Sequence, residues 1–276
     1  MHAFTVDLED WYHGIPLSGN QKSKIEHRLL VGLEPLLQLL STSNTTATFF
    51  ILGEVAKKYP TILKVLKCLG HELACHGLTH DFVYNLTPAQ FKRDTSYCVR
   101  LIEDIIGSPV YGYRAPYFSI TEQSLWALEI LSELGIQYDS SIMPVQSWRY
   151  GITNYGNQWR KLKYPSGSLW EIPITVRSWV GPSIPVSGGA YFRIYPYELT
   201  KRNIQWCESQ SLNAVFYIHP WELDSTHPKI PFEWRAHITH YYNLSNTRKK
   251  LNQLLAEFKF ASLSSILNQL IVKDTL

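Results

Sequence analysis

Hydrophobic residues are distributed along the chain in two alternating textures. Runs that are apolar almost throughout, AFTV at 3–6, ATFFILG at 47–53 and NAVFYIHP at 213–220, predict buried strands. Leucines on one face of KIEHRLLVGLEPLLQLLSTS (24–43) predict a helix, as does EVAKKYPTILKVLKCLG (54–70), read as one helix stopped by Gly70. HELAC (71–75) reads as the next strand. Thr87 and Pro88 open a helix that Gly107 ends, because proline suits a first turn and glycine the residue after a last one. VYGYRAPY (110–117) is a strand running into a loop, TEQSLWALEILSELG (121–135) a capped helix and IQYDSSI (136–142) a strand end.

Strand, loop and helix alternate in this way up to about residue 142, the pattern of a parallel α/β sheet or barrel. Between 143 and 196 Gly, Pro, Ser and aromatics replace the periodicity and predict strand and loop rather than helix. The periodic pattern resumes with ELTKRNIQWCES (198–209) and closes on a terminal amphipathic helix around NTRKKLNQLLAEF (246–258).

Bulk properties narrow the function classes. At 276 residues, 45% hydrophobic and 18% charged, the chain has an ordinary globular balance. A net charge of +3 with no basic run longer than RKK at 248–250 argues against nucleic acid as a partner. The four cysteines form no CxxC pair and read as reduced and structural. No apolar run approaches a membrane span, and the N-terminus lacks the pattern of a secretory signal, so a cytoplasmic location is expected. Nine Trp and 17 Tyr suit a sugar-lined cleft as well as a core, with Trp11, Tyr12, Trp148, Trp179 and Trp221 as candidate walls.

In an α/β sheet functional groups collect where strands end. TVDLED ends the first strand with Asp7, Glu9 and Asp10; HGLTH supplies His76 and His80; YRAPY supplies Arg114 and Tyr117; YDSS supplies Asp139; YIHP supplies His219. Each alone has an ordinary explanation as a cap, a turn residue, an ion pair or a surface histidine. Together they point to a site, because two histidines four apart on a helical turn share a face, and a carboxylate from a neighbouring strand would complete a His2–carboxylate set with open positions. His71 starts its strand and is expected to face away from this rim; His13 could contact substrate or sit on the surface. Gly188 and Gly189 are expected to permit a tight backbone path beside the site.

These residues resemble the polysaccharide deacetylases of carbohydrate esterase family 4, the NodB-homology group: the acidic motif at 7–10, HGLTH, RAPY (114–117), YDSS and IHP (218–220) match its motifs in order. GGAYFRIYP, HPWELD and HYYNL resemble the C-terminal extension of a subgroup associated with exopolysaccharide loci. The resemblance implies a distorted, incomplete (β/α) barrel forming a single catalytic domain over 1–276, with 1–142 as the βα core and 143–276 as the extension that completes it. It implies a metal-dependent hydrolase that removes N-acetyl groups from an amino-sugar glycan or its saccharide precursor, with a divalent metal, zinc first, as cofactor. Asp7 would be the general base and His219 the general acid, and Arg114 would hold Asp7 ionised and oriented. His76 and His80 would ligate the metal with Glu9 or Asp10, since DLED stands where the family usually has two adjacent aspartates. Strand alternation favours Glu9; a strand ending at Asp7 would favour Asp10. Tyr117, whose neighbourhood could offer a backbone N–H to the oxyanion, Asp139 and Trp221 would contact substrate. Two other functions fit the same barrel: a metal-independent hydrolase of small cyclic amides, allantoinase-like, and a non-catalytic glycan-binding relative. Loss of base or acid would mark the latter, and Asp7, Arg114 and His219 are all present.

Overall fold

The computed structural model describes residues 1–274 apart from 16, 18–24, 148, 179–181 and 232. Its first strand, β1 (His2–Leu8), is buried along its whole length. Because side chains alternate across a strand, Phe4, Val6 and Leu8 join one apolar cluster while Ala3 joins another, and Thr5 and Asp7 share the face of Ala3. Strands β2 (Thr48–Ile51), β3 (Glu72–Cys75) and β10 (Val215–Ile218) divide in the same way. Phe49, Ile51, Leu73, Cys75, Phe216 and Ile218 face the helices; Phe50, Ala74, Val215 and Tyr217 face inward.

With β4 (Gly112–Tyr113), β5 (Tyr138–Asp139), β6 (Arg160–Tyr164) and β7 (Gly167–Glu171), the sheet runs β10-β1-β2-β3-β4-β5-β7-β6 among the described residues. All its pairings are parallel except that between β6 and β7. A further short strand, β11 (Phe260–Ala261), pairs with β1, and β8 (Val176–Arg177) and β9 (Ile184–Pro185) form a separate hairpin. Helices α1 (Leu29–Thr42), α2 (Gly53–Lys58), α3 (Pro60–Cys68) and α4 (Pro88–Ile106) cover the outer face, while Ile172, Ile174, Ile266 and Leu267 help fill the inner one. This is the expected distorted, incomplete (β/α) barrel.

Local chemistry explains where elements stop and where expectation fails. Thr87 and Gln90 form a reciprocal capping box before α4, and Gly107 ends it at φ 63°. The segment expected as one helix over 54–70 is two, because Pro60 forces Tyr59 to φ −128°, ψ 54°. Over 121–135 a 3-10 turn (122–124) precedes α5 (Trp126–Glu133). The region expected to be strand and loop contains a helix, α6 (Gly189–Ile194), before α7 (Tyr197–Ser209). It begins where Gly188 and Gly189 lie against β10; a Cβ on Gly188 would stand 2.1 Å from the Tyr217 carbonyl oxygen. Helices α8 (Trp234–Tyr241) and α9 (Leu244–Glu257) follow, but the last helix is α10 (Leu263–Asp274), beyond the one expected to be terminal.

One contact joins the two ends of this fold. A Cβ on Gly32 would stand 1.9 Å from the Pro220 carbonyl oxygen, so α1 rests backbone to backbone on the turn after β10. All four cysteines are free, three of them buried. Among the described residues no helix is long and apolar enough to cross a membrane.

Candidate active site

Parallel pairing brings the C-terminal ends of β10, β1, β3, β4 and β5 to one rim, and each strand hands over to a polar residue there: His219, Glu9, His76, Arg114 and Ser140. Glu9 follows a tight turn in which its own N–H donates to the Asp7 carbonyl at 2.9 Å, which carries its side chain over the rim.

Glu9, His76 and His80 converge on one point. Glu9 Oε1 lies 2.9 Å from His76 Nε2 and 2.7 Å from His80 Nε2. His76 Nδ1 donates to the Arg114 carbonyl at 2.8 Å and His80 Nδ1 to the His13 carbonyl at 2.9 Å. A carbonyl only accepts, so both protons sit on Nδ1, and in a neutral ring Nε2 then presents a lone pair. Two lone pairs and a carboxylate oxygen therefore face one another, and His80 Nε2 finds no hydrogen bond to the protein despite its short distance to Glu9. Such a set could hold a cation at its centre, and its composition fits a divalent metal. The histidines reach this point on a loop with Gly77 at φ 86°, not on the expected helical turn.

Beside this set, Asp7 Oδ1 accepts from Arg114 Nη1 at 2.7 Å, and the same nitrogen donates to Thr5 Oγ1 at 2.8 Å. The other edge of the guanidinium donates to the Ser140 carbonyl and hydroxyl, each at 3.0 Å, and its plane lies 4.1 Å over the Phe50 ring. Arg114 is thus fully buried and immobilised, and its partner Asp7 is aimed with it.

Across from Asp7 stands His219, with Nε2 3.9 Å from Asp7 Oδ2. His219 Nδ1 donates to Glu222 Oε1 at 2.8 Å, and Glu222 Oε2 accepts from Arg193 Nε at 2.6 Å. Arg193 in turn donates to the carbonyls of Thr239, His240 and Tyr242 at the end of α8. Burial would lower the His219 pKa, but the charge of Glu9, the bond to Glu222 and the charges of Glu222 and Asp7 push it up to about 9. Burial would raise Glu222, but Arg193 and His219 hold it down to about 2. Neither Glu222 nor Arg193 is among the site residues the sequence suggests, although they lie in HPWELD and GGAYFRIYP, the stretches that resemble a family extension. Glu222 carries a further faint signal, a glutamate three residues after His219 that accepts from the His219 N–H at 3.0 Å as in a capping box.

Several expected site residues are placed elsewhere. Asp10 is turned away from the histidines: its Oδ1 accepts from the neighbouring Trp11 N and its Oδ2 from Arg28 N at the start of α1, each at 2.9 Å. Asp139 is fully buried and bonded to the Ser141 hydroxyl and amide, beside Glu171 on β7. Burial raises both carboxyls, and Glu171 is raised further by the neighbouring Asp139 charge, so the pair serves the scaffold and does not reach a cleft. Trp221 is buried, stacked between His219 and His240, and backs the imidazole rather than walling a cleft. Trp11 is also buried, its Nε1 donating to the Glu26 carbonyl, whereas Tyr12 is half-buried. Trp148 and Trp179 lie outside the described residues.

Tyr117 stays at the rim. It adopts φ 56°, ψ 16°, lies 4.1 Å ring to ring from His80, and donates its hydroxyl to the His13 carbonyl at 2.9 Å. The Phe118 and Ser119 N–H groups are used by the Ala115 and Pro116 carbonyls, which leaves the Tyr117 N–H as the amide to consider for an oxyanion. His13 contributes its backbone: one carbonyl receives both His80 and Tyr117. His71 sits at the opposite end of β3, accepting from Ala47 N.

Comparison with known proteins agrees with this picture. Residues 32–138 match the family model described as polysaccharide deacetylase, and residues 140–268 match a domain of unknown function (DUF3473). A peptidoglycan deacetylase of Helicobacter pylori is 29% identical over 154 residues, 56% of this chain and 48% of that protein, so the chain spans about half the length of this relative. Among solved structures, one described as a polysaccharide deacetylase from Mycobacterium smegmatis superposes with a TM-score of 0.68 at 20% identity, covering 99% of this chain and 90% of that one. The allantoinase Puue superposes at 0.61 and 14% identity over 94% and 85% of the two chains. At such identities the likeness is one of fold.

Proposed function

We propose, from the premise that residues 32–138 belong to the polysaccharide deacetylase family, that this protein is a metal-dependent hydrolase removing N-acetyl groups from an amino-sugar glycan or its saccharide precursor. The observation that carries the reading is the juxtaposition of Asp7 and His219, 3.9 Å apart, beside the three converging donors of Glu9, His76 and His80.

A divalent metal held by Glu9, His76 and His80, zinc in our reading, would supply Lewis acidity, polarising the acetamide carbonyl and easing ionisation of water. The chain's own groups do the rest. Asp7, aimed by Arg114, takes the proton from the attacking water as the C–O bond forms. The carbonyl electron pair moves to oxygen, to which the Tyr117 N–H would donate. His219 presents Nε2 to the cleft because Glu222 holds its Nδ1–H, and it gives its proton to the amine as the C–N bond breaks. An amine leaves poorly unless protonated, so an imidazole that remains charged up to about pH 9 suits the task at neutral pH.

A metal-independent cyclic-amide hydrolase would share the fold of Puue but gives no account of why His76 and His80 turn lone pairs towards Glu9. The test is elemental analysis of protein purified without chelators, combined with acetate release from N-acetylated saccharides, for wild type and His80→Ala. About one metal per chain in wild type, lost with activity in the variant, is the expected result. A metal-free wild type after dialysis against zinc, releasing no acetate, would remove the proposal.

A further inference from the structure

Tyr117 holds the candidate oxyanion amide in a backbone conformation that is unfavourable on its own. Two successive aromatic residues, Tyr117 at φ 56° and Phe118 at φ 53°, stand in the left-handed region, where bulky side chains are strained and persist only if their surroundings hold them. Phe118 is held by the core: it is buried, its ring meets that of Tyr217 edge-on at 5.0 Å, and the Arg114 guanidinium lies 5.5 Å over it. Tyr117 is only half-buried and depends on contacts at the rim. Besides its hydroxyl bond to the His13 carbonyl, its ring stacks on that of Phe82, with centres 4.2 Å apart and planes 14° from parallel. The Arg149 guanidinium bridges the two stacked rings, 4.3 Å over Tyr117 and 5.0 Å over Phe82.

This arginine comes from the other matched region. Phe82 and Tyr117 lie within the deacetylase match, Arg149 within the domain of unknown function. The turn that carries it is closed tightly: the Val145 and Ile152 amides both donate to the Met143 carbonyl, at 2.8 and 3.1 Å, and Gly151, at φ 103°, packs so close that a Cβ there would stand 2.4 Å from the Val145 carbonyl oxygen. The backbone of Arg149 is itself pinned, its carbonyl accepting from the Tyr84 hydroxyl at 3.1 Å and its N–H donating to Ser147 Oγ at 3.2 Å. A planar, charged guanidinium on so constrained a turn is suited to pressing on aromatic faces.

We propose that Arg149 is a positioning residue for the deacetylation: by bridging the two rings it keeps Tyr117 in its left-handed conformation, and so fixes the direction of the N–H that the oxyanion would use. The inference rests on the deacetylase reading for the charge this amide meets, but not for the clamp itself, and two measurements keep the two separable. A hydrogen bond that tightens only as charge develops on oxygen acts on kcat and little on KM. In the first measurement, acetate release from an N-acetylglucosamine oligomer is followed for wild type, Arg149→Met, which keeps the length and loses the charge, and Phe82→Leu, which removes the second ring. Both variants are expected to lose about ten-fold or more in kcat with KM within about two-fold of wild type. A loss in Arg149→Met that falls on KM would make the arginine a substrate contact and overturn the proposal, as would a kcat equal to wild type in that variant. In the second, ¹⁵N relaxation reads the order of the Tyr117 amide, expected to drop from roughly 0.85 in wild type to below about 0.6 in Arg149→Met while that of Ser119 stays level. An amide as ordered in the variant as in wild type overturns the clamp whatever the kinetics. An amide loosened in the variant while wild type releases no acetate would keep the conformational role of Arg149 and sink the deacetylase reading.

Discussion

The two poles of the site are built on opposite principles. At one, Glu9, His76 and His80 direct acceptors at a shared centre and leave their mutual repulsion uncompensated by protein. At the other, every charge has a protein partner: His219 on Glu222, Glu222 on Arg193, Arg193 on three carbonyls closing α8. In the proposed mechanism the first pole is left for an ion to complete, whereas the second is already complete and would deliver the proton. A low-dielectric interior makes either arrangement expensive to disturb, but in different ways, since losing the proposed cation would remove the proposed activity while losing one partner of a satisfied chain strands a buried charge.

That contrast can be pressed by experiment. Stripping the metal with a chelator is expected to lower acetate release by about 10³-fold or more, with recovery on adding zinc; activity indifferent to the chelator would erase the distinction. Replacing His219 with Gln should cost about 10²–10⁴-fold in kcat with metal content unchanged, because the proposed ligands are Glu9, His76 and His80; loss of metal in that variant would instead assign the ion to the neighbouring group of Asp7, Glu9 and His219. Glu222→Gln leaves Arg193 buried without its counter-charge and should destabilise the fold by about 3–5 kcal/mol, read by denaturant unfolding. It should also move the alkaline limb of kcat/KM below its wild-type position near pH 9, since His219 loses a partner that favours its charged form; an unmoved limb would show that Glu222 does not tune the acid.

Stability of the metal-free protein should also depend on pH in two windows. Burial is the main cause that lowers His13 to about 4 and His240 to about 2, so below about pH 6.5 the unfolded chain binds protons that the folded one refuses, and stability falls as pH drops. His219 acts oppositely: its folded pKa is raised, so its contribution is full below about 6.5 and is lost as pH rises through about 9. Unfolding midpoints that stay level between pH 5 and 9 would contradict both. The smallest effect concerns Asp10, where Asp10→Ala should cost about 1–2 kcal/mol, the worth of its bonds to the Trp11 amide and to the Arg28 amide at the start of α1, and leave metal content intact. Loss of metal there would restore Asp10 as a ligand.

How much of this could be read from the sequence depended on how local the cause was. The rim was legible because each buried strand ends abruptly in a polar residue, and alternation along β1 already put Asp7 and Glu9 on one side. The split of 54–70 was also written there, in Pro60, although leucine periodicity masked it. Arg193 was not legible, because its partner Glu222 is 29 residues away and α6 lies in a stretch whose glycines look like loop until Tyr217 packs against them. Asp139 misled for the opposite reason: a polar motif at a strand end looks exposed, and only the pairing with β7 buries it.

The contact between Gly32 and Pro220 also orders events in time. During synthesis, Asp7, Glu9, His76, His80 and Arg114 are all present once residue 114 has emerged, but His219, the proposed proton donor, follows a strand that must thread in beside β1 across a span of 211 residues, as the Thr5 bond to Phe216 records. On the proposed mechanism a nascent chain would therefore hold its donor set before it could turn a substrate over, with α1 as the cradle into which the turn after β10 is lowered last.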